Sequence, residues 1–81
     1  MAVHGWILIQ TEIGHARPVC DAIAAMHYPG TTVILADTVT GPYDIIARIE
    51  APDLETLSDA TDDVMTKVGG VQDVVTCLTI A

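Results

Sequence analysis

The chain has 81 residues, a size that fits one domain spanning 1–81, and 51% of them are hydrophobic. Eleven acids against three bases give a formal charge of −8, which argues against direct binding to nucleic acid, since that needs clustered Lys and Arg while Arg17, Arg48 and Lys67 form no patch in the sequence. No apolar run approaches the ~18–20 residues that cross a bilayer, and the N-terminus lacks the charged, apolar and cleavable regions of a signal peptide.

Gly5 to Gln10 contains Trp6-Ile7-Leu8-Ile9, an apolar and β-branched run that predicts a buried strand. Thr11-Glu12-Ile13-Gly14 breaks it. From His15 the period changes: Val19, Ile23 and Met26, with Ala22 beside them, form one face of a helix. Pro18 falls in its first turn, where a missing N–H costs nothing, and Tyr28-Pro29-Gly30 is the stop signal. Thr32 to Val39 predicts a second strand, Thr40-Gly41-Pro42 a turn, and Tyr43 to Glu50 a third strand. In that third strand Ile45, Ala47 and Ile49 face one way while Asp44, Ile46, Arg48 and Glu50 face the other. Two strands joined so closely pair antiparallel.

Ala51-Pro52-Asp53 opens a second helix with Asp53 placed to cap it. Leu54, Leu57, Val64 and Val68 make its apolar stripe, and Asp59, Asp62 and Asp63 its solvated side. Gly69-Gly70 ends it. Val71 to Ile80 is the last strand, with Val74, Thr76, Leu78 and Ile80 on one face and Asp73, Val75, Cys77 and Thr79 on the other. The βαββαβ order predicts an α+β, ferredoxin-like fold: a four-stranded antiparallel sheet with two helices on one face.

Two helices cover only one face of such a sheet. The other face should then be polar in a monomer. Here Trp6, Leu8 and Gln10 alternate with Ile7 and Ile9, and Val33 and Leu35 with Ile34 and Ala36, so neither face is consistently polar. An apolar face of that extent exceeds what monomers usually expose. A homodimer burying it, with two-fold symmetry, is the expectation.

Candidate chemistry is sparse. His4, His15, His27, Cys20 and Cys77 lack the short spacings of metal sites. His15 and His27 stand at opposite ends of the first helix, twelve residues at ~1.5 Å each apart. Cys20 and Cys77 read as reduced, half-buried small hydrophobes of a cytoplasmic protein. Ser58 lies inside a helix, no nucleophile elbow or phosphate loop is present, and Asp62-Asp63 point about 100° apart. No catalytic, metal or cofactor site is expected. The one dense constellation is Asp37-Thr38-Val39-Thr40-Gly41-Pro42-Tyr43-Asp44. Gly41 allows a turn or the close approach of a ligand, Tyr43 offers a ring and a hydroxyl, and Asp37 and Asp44 offer carboxylates. Ordinary turn chemistry is the alternative.

These residues carry a family resemblance. Trp6-Ile7-Leu8-Ile9-Gln10-Thr11 with Gly14, then Thr40-Gly41-Pro42-Tyr43-Asp44-Ile45-Ile46-Ala47, Ala51-Pro52-Asp53-Leu54-Glu55-Thr56-Leu57, and Gly70-Val71 followed by Thr76 together resemble the C-terminal ligand-binding (RAM) domain of the Lrp/AsnC, or feast/famine, transcription regulators. The Gly-x-Tyr/Phe-Asp hairpin in this βαββαβ setting is the specific part.

The resemblance implies dimers paired through their sheets, commonly closing into rings such as octamers, with an amino acid effector bound between dimers. It assigns Gly41, Pro42, Tyr43, Asp44 and Thr76 to that pocket. Backbone near Gly41 would hold the carboxylate, Pro42 would stiffen the loop, and Asp44 would hold the ammonium or shape the loop. Val74 stands where many relatives carry a polar residue.

Full regulators also carry an N-terminal helix-turn-helix. This chain starts at the first strand, so the expectation is a stand-alone RAM protein, or a cut-out domain, that modulates regulation without holding DNA itself, either by sensing an amino acid or by pairing with full-length regulators. The alternative is a small dimeric α/β-barrel enzyme of monooxygenase or isomerase type, which would need a His or acid facing an internal pocket. A metal-binding ferredoxin-like protein is a third reading.

Overall fold

A computed structural model describes residues 2–80. The elements run β1 (Val3–Thr11), α1 (Ala16–Ala24), β2 (Thr32–Thr38), β3 (Ile45–Ala51), α2 (Leu54–Lys67) and β4 (Val71–Leu78), the βαββαβ order the sequence predicts. All strand pairs are antiparallel and the sheet order is β2-β3-β1-β4. β1 and β3 are therefore central. This is the ferredoxin-like arrangement.

Alternation decides which face of the central strands is covered. Ile7 and Ile9 of β1 and Ile45, Ala47 and Ile49 of β3 are fully buried, against Val19 and Ile23 of α1 and Leu57 and Val64 of α2. Gly5 shares that face because α2 crosses there. A Cβ at this position would lie 2.9 Å from Leu57 Cδ2.

α2 begins as its sequence demands. Asp53 is extended and its Oδ1 accepts the Thr56 N–H at 2.7 Å. The Thr56 hydroxyl, with this N–H, holds the Asp53 carboxyl below its usual range. Lys67 in the last turn lies 2.9 Å from Asp63. Gly70 follows with φ +94, and a side chain there would also meet the His15 ring.

Several details differ from the pattern reading. α1 closes at Ala24, and Met26 reaches the core from the turn beyond, its N–H bonded to the Ile23 carbonyl. With no side-chain cap at His15, no acid in its first turn and no base in its last, α1 has little to extend it. Ala22 is exposed rather than part of the packed face. In α2 it is Ala60 that continues the stripe, while Leu54 in the first turn is 51% exposed. Cys20 is buried and Cys77 exposed, so neither is half-buried, and both are free thiols. Burial, with Asp21 and Asp37 nearby, raises the Cys20 thiol above its ordinary range.

β2 departs most. Val33 pairs with Ile49, but Leu35, not Ile34, pairs with Arg48. This bulge at Ile34 puts Val33 and Leu35 on opposite faces, because one inserted residue flips everything after it. Val33 and Ala36 face the helices, and Leu35 faces away. The blurred alternation read in the sequence thus has a local cause.

The register also orders the open face into rows, since directly paired residues share a face. One row is Thr32, Glu50 and His4. The next is Leu35, Arg48, Trp6 and Cys77, and the third is Asp37, Ile46, Leu8 and Val75. Gln10 and Asp73 begin a fourth. The apolar members are contiguous in the two middle rows, and nothing in the described residues covers them.

Candidate functional site

The β2–β3 connection, residues 39–44, is held against the end of β1. Asp44 does this with three of its groups. Its carbonyl accepts the Val39 N–H at 2.9 Å, which closes the hairpin. Its N–H donates to the Ile9 carbonyl at 2.9 Å. Its Oδ2 accepts the Thr11 N–H at 2.8 Å and the Thr11 hydroxyl at 3.3 Å. Gln10 adds a further tie, donating from Nε2 to the Pro42 carbonyl at 2.9 Å.

The partner of Asp44 is available for a structural reason. The pairing of β1 with β3 ends at Ile9 and Ile45, and the Thr11 N–H, two residues on from the Ile9 carbonyl, faces the same edge with no strand beside it. Thr11 is only 8% exposed, so a free N–H there would be dry and costly. The Asp44 carboxylate takes that N–H, and a charged acceptor makes the stronger bond. Asp44 thereby ties the loop to β1.

What remains outside this lock is the tip. Gly41 has φ +144, and a Cβ there would meet nothing within 4 Å. Its need for glycine comes from backbone conformation and not from crowding. Pro42 is exposed and Tyr43 half-buried. Thr38, Val39 and Thr40 line a broad open depression beside them. A more enclosed concavity of about 290 Å³, lined by Ala2, Gly30, Thr32, Glu50, Ala51 and Pro52, lies at the opposite end of the sheet.

Thr76 is not part of this group within one chain. It pairs with Ile7 in the middle of β4 and is exposed. Thr11, where the hairpin is tied, is four residues further along β1, or about 13 Å at ~3.3 Å per residue, and the hairpin is on the other side of β1. Val74, beside Thr76 in the pattern, packs against the core. Gly41, Pro42, Tyr43 and Asp44 are together; Thr76 stands apart.

The pattern reading missed Gln10 and Thr11 as supports of the hairpin. It also missed the stacking of Arg48 over Trp6, 5.3 Å from guanidinium carbon to ring centre. Among the described residues, no group of three or more His, Cys, Asp and Glu side chains could hold a metal ion. No helix of the described residues is long and apolar enough to cross a membrane.

Comparison with known proteins adds to this geometry. No curated protein sequence matches the chain significantly. Among solved structures, TTHA0845 from Thermus thermophilus is 28% identical with a TM-score of 0.84, over 98% of this chain and 94% of that one. The hypothetical protein PHS023 from Pyrococcus horikoshii is 30% identical with a TM-score of 0.81, over 98% and 90%. The transcriptional regulator NMB0573 from Neisseria meningitidis, solved as a complex with L-Met, shares the fold at 20% identity and a TM-score of 0.75, with 98% of this chain matching 50% of that one. The family model described as the Lrp/AsnC ligand binding domain matches residues 7–81. The hairpin motif, the fold around it and this match together establish that the chain belongs to the Lrp/AsnC ligand-binding domain family, a regulatory family and not an enzymatic one.

Proposed function

We propose that the chain is an assembly module that responds to an amino acid, pairing with itself through the open sheet face and holding the effector at the 39–44 hairpin between dimers. The observation that carries this reading is the rigid hairpin with an unfinished pocket. Asp44, Gln10 and Thr11 fix the loop, yet its tip opens onto solvent and Thr76 lies too far away to close it. A site of this kind is completed by a neighbouring subunit. Thr76 then belongs to the pocket only if a second chain supplies it.

In the filled site the backbone at Gly41 takes the effector carboxylate and Tyr43 bounds its side chain. Family membership supports a ligand here. The L-Met complex of the Neisseria meningitidis regulator supports an amino acid. At −8 the module leaves DNA contact to other proteins, such as full-length regulators with which it mixes. Dimers gather further into a ring, of which an octamer is one form.

Thermal-shift and calorimetric titration with each of the twenty amino acids tests the ligand. At 100 times its Kd, a bound effector stabilises by about 2.7 kcal/mol, a shift of roughly 10 °C or more for a domain of this size. A flat response to all twenty would remove the amino acid reading. Light scattering tests the assembly separately: a species of 8.6 kDa at every concentration would remove the pairing.

A further inference from the structure

Arg48 is the one Lys or Arg on the open face of the sheet among the described residues. It stands between Leu35 and Trp6 in the second row and lies over the Trp6 ring. Its Nε is shielded from solvent and has no hydrogen-bond partner. The ion pairs of the described residues are His4–Glu50 and Lys67–Asp63, and Arg48 belongs to neither. A chain with three cations and eleven acids thus sets one cation on its most apolar surface and gives it no carboxylate. Under a second layer of protein an unpaired guanidinium is strongly unfavourable. Whatever covers this face must bring an anion to that spot.

A second copy carries one in the right place. Identical sheets stack with aligned strands in two symmetric ways. A two-fold axis along the strands lays each row over itself. That sets each guanidinium on the partner's Trp6, brings the two cations together with no anion, and places Asp37 over an apolar residue, the partner's Val75. An axis across the strands, set between the two middle rows where the apolar residues gather, lays the second row over the third. Arg48 then meets the stretch of β2 and β3 that holds the partner's Ile46 and the partner's Asp37.

We infer that the copies pair about an axis across the strands and that Arg48 forms an ion pair with Asp37 of the partner subunit, twice by symmetry. This rests on the sheet pairing proposed above and adds its register. It also makes the pairing selective, because a sheet without a carboxylate at that position leaves the guanidinium buried and alone.

Sedimentation equilibrium on Arg48→Asp, Asp37→Arg and their equimolar mixture tests the pair. Each single variant weakens the dimer by at least ~30-fold, the loss expected when one partner of a buried ion pair is removed. The mixture restores an affinity within a few-fold of wild type, because a heterodimer of the two variants has two opposite-charge contacts. A pair formed within one chain gives no recovery on mixing, since the Arg48→Asp chain then keeps two acids side by side.

Circular dichroism checks that both variants are folded. Arg48→Met and Asp37→Asn, which add no charge, show the same loss should either reversal unfold. Folded variants that stay monomeric when mixed, or single variants that dimerise as wild type does, would overturn the inference. A wild type that never dimerises would overturn the sheet pairing beneath it.

Discussion

Replacing Asp44 with alanine removes the carboxylate that ties the hairpin to β1. The Thr11 N–H then loses its acceptor in a residue only 8% exposed. A buried donor left unpaired costs about 1–3 kcal/mol. The hydroxyl contact at 3.3 Å is long and adds little. The pair is only partly buried, so water relieves part of the loss, and we expect about 1.5 kcal/mol. For a domain of 60–100 residues that lowers Tm by roughly 6–12 °C. Asp44→Asn keeps an acceptor and loses roughly half as much, and Thr11→Val removes only the long hydroxyl bond and falls below ~0.5 kcal/mol. Melts followed by circular dichroism at one fixed protein concentration measure this order, since assembly makes Tm depend on concentration. A Tm for Asp44→Ala within 2 °C of wild type would refute the role given to the carboxylate.

Gly5→Ala drives a methyl against Leu57 and destabilises by about 1–3 kcal/mol in urea unfolding. Leu57→Ala alone costs about 2–5 kcal/mol. The two together cost less than their sum, because the new methyl occupies space the shorter side chain leaves; strict additivity would count against the contact. With a thiol reagent at pH 7.5, Cys77 reacts at once in dilute protein while Cys20 waits for unfolding; equal rates would contradict their placement. The raised Cys20 pKa fixes a sign. The folded state keeps that proton to higher pH than the unfolded chain, so this thiol has no effect below its ordinary pKa and destabilises as pH rises above it. Wild type should lose more stability between pH 8 and 10 than Cys20→Ala, and parallel curves would contradict the burial.

Element order, strand pairing and the covered face of β1 and β3 were legible because they are written in local periodicity. Ile45, Ala47 and Ile49 alternate cleanly, and Asp53 sits where a helix needs a cap. The places that resisted are those where a tertiary contact overrides the local pattern. The bulge at Ile34 depends on how β2 meets Arg48 and Ile49 of β3, so Thr32 to Val39 reads equally well as an unbroken strand. Met26 has helical spacing from Ile23, but the helix turns away before reaching it. Leu54 fits the stripe, yet in the first turn of α2 it is left half exposed.

The hairpin shows the same division more sharply. Gly41 and Tyr43 announce themselves because glycine and an aromatic residue beside a turn carry their chemistry with them. The supports do not. Thr11 and Gln10 lie 33 and 32 positions from the groups they bind, and nothing in a Gln-Thr pair at a strand end marks it as a loop anchor. Their importance appears only when the β1–β3 ladder, ending at Ile9, leaves a buried N–H to be satisfied. Arg48 is a parallel case. In the sequence it is one polar residue in an alternating strand, and only the assembled rows reveal a cation on apolar ground with no acid of its own. In both places an unmet electrostatic requirement marks function, met within the chain at Thr11 and left for a second subunit at Arg48.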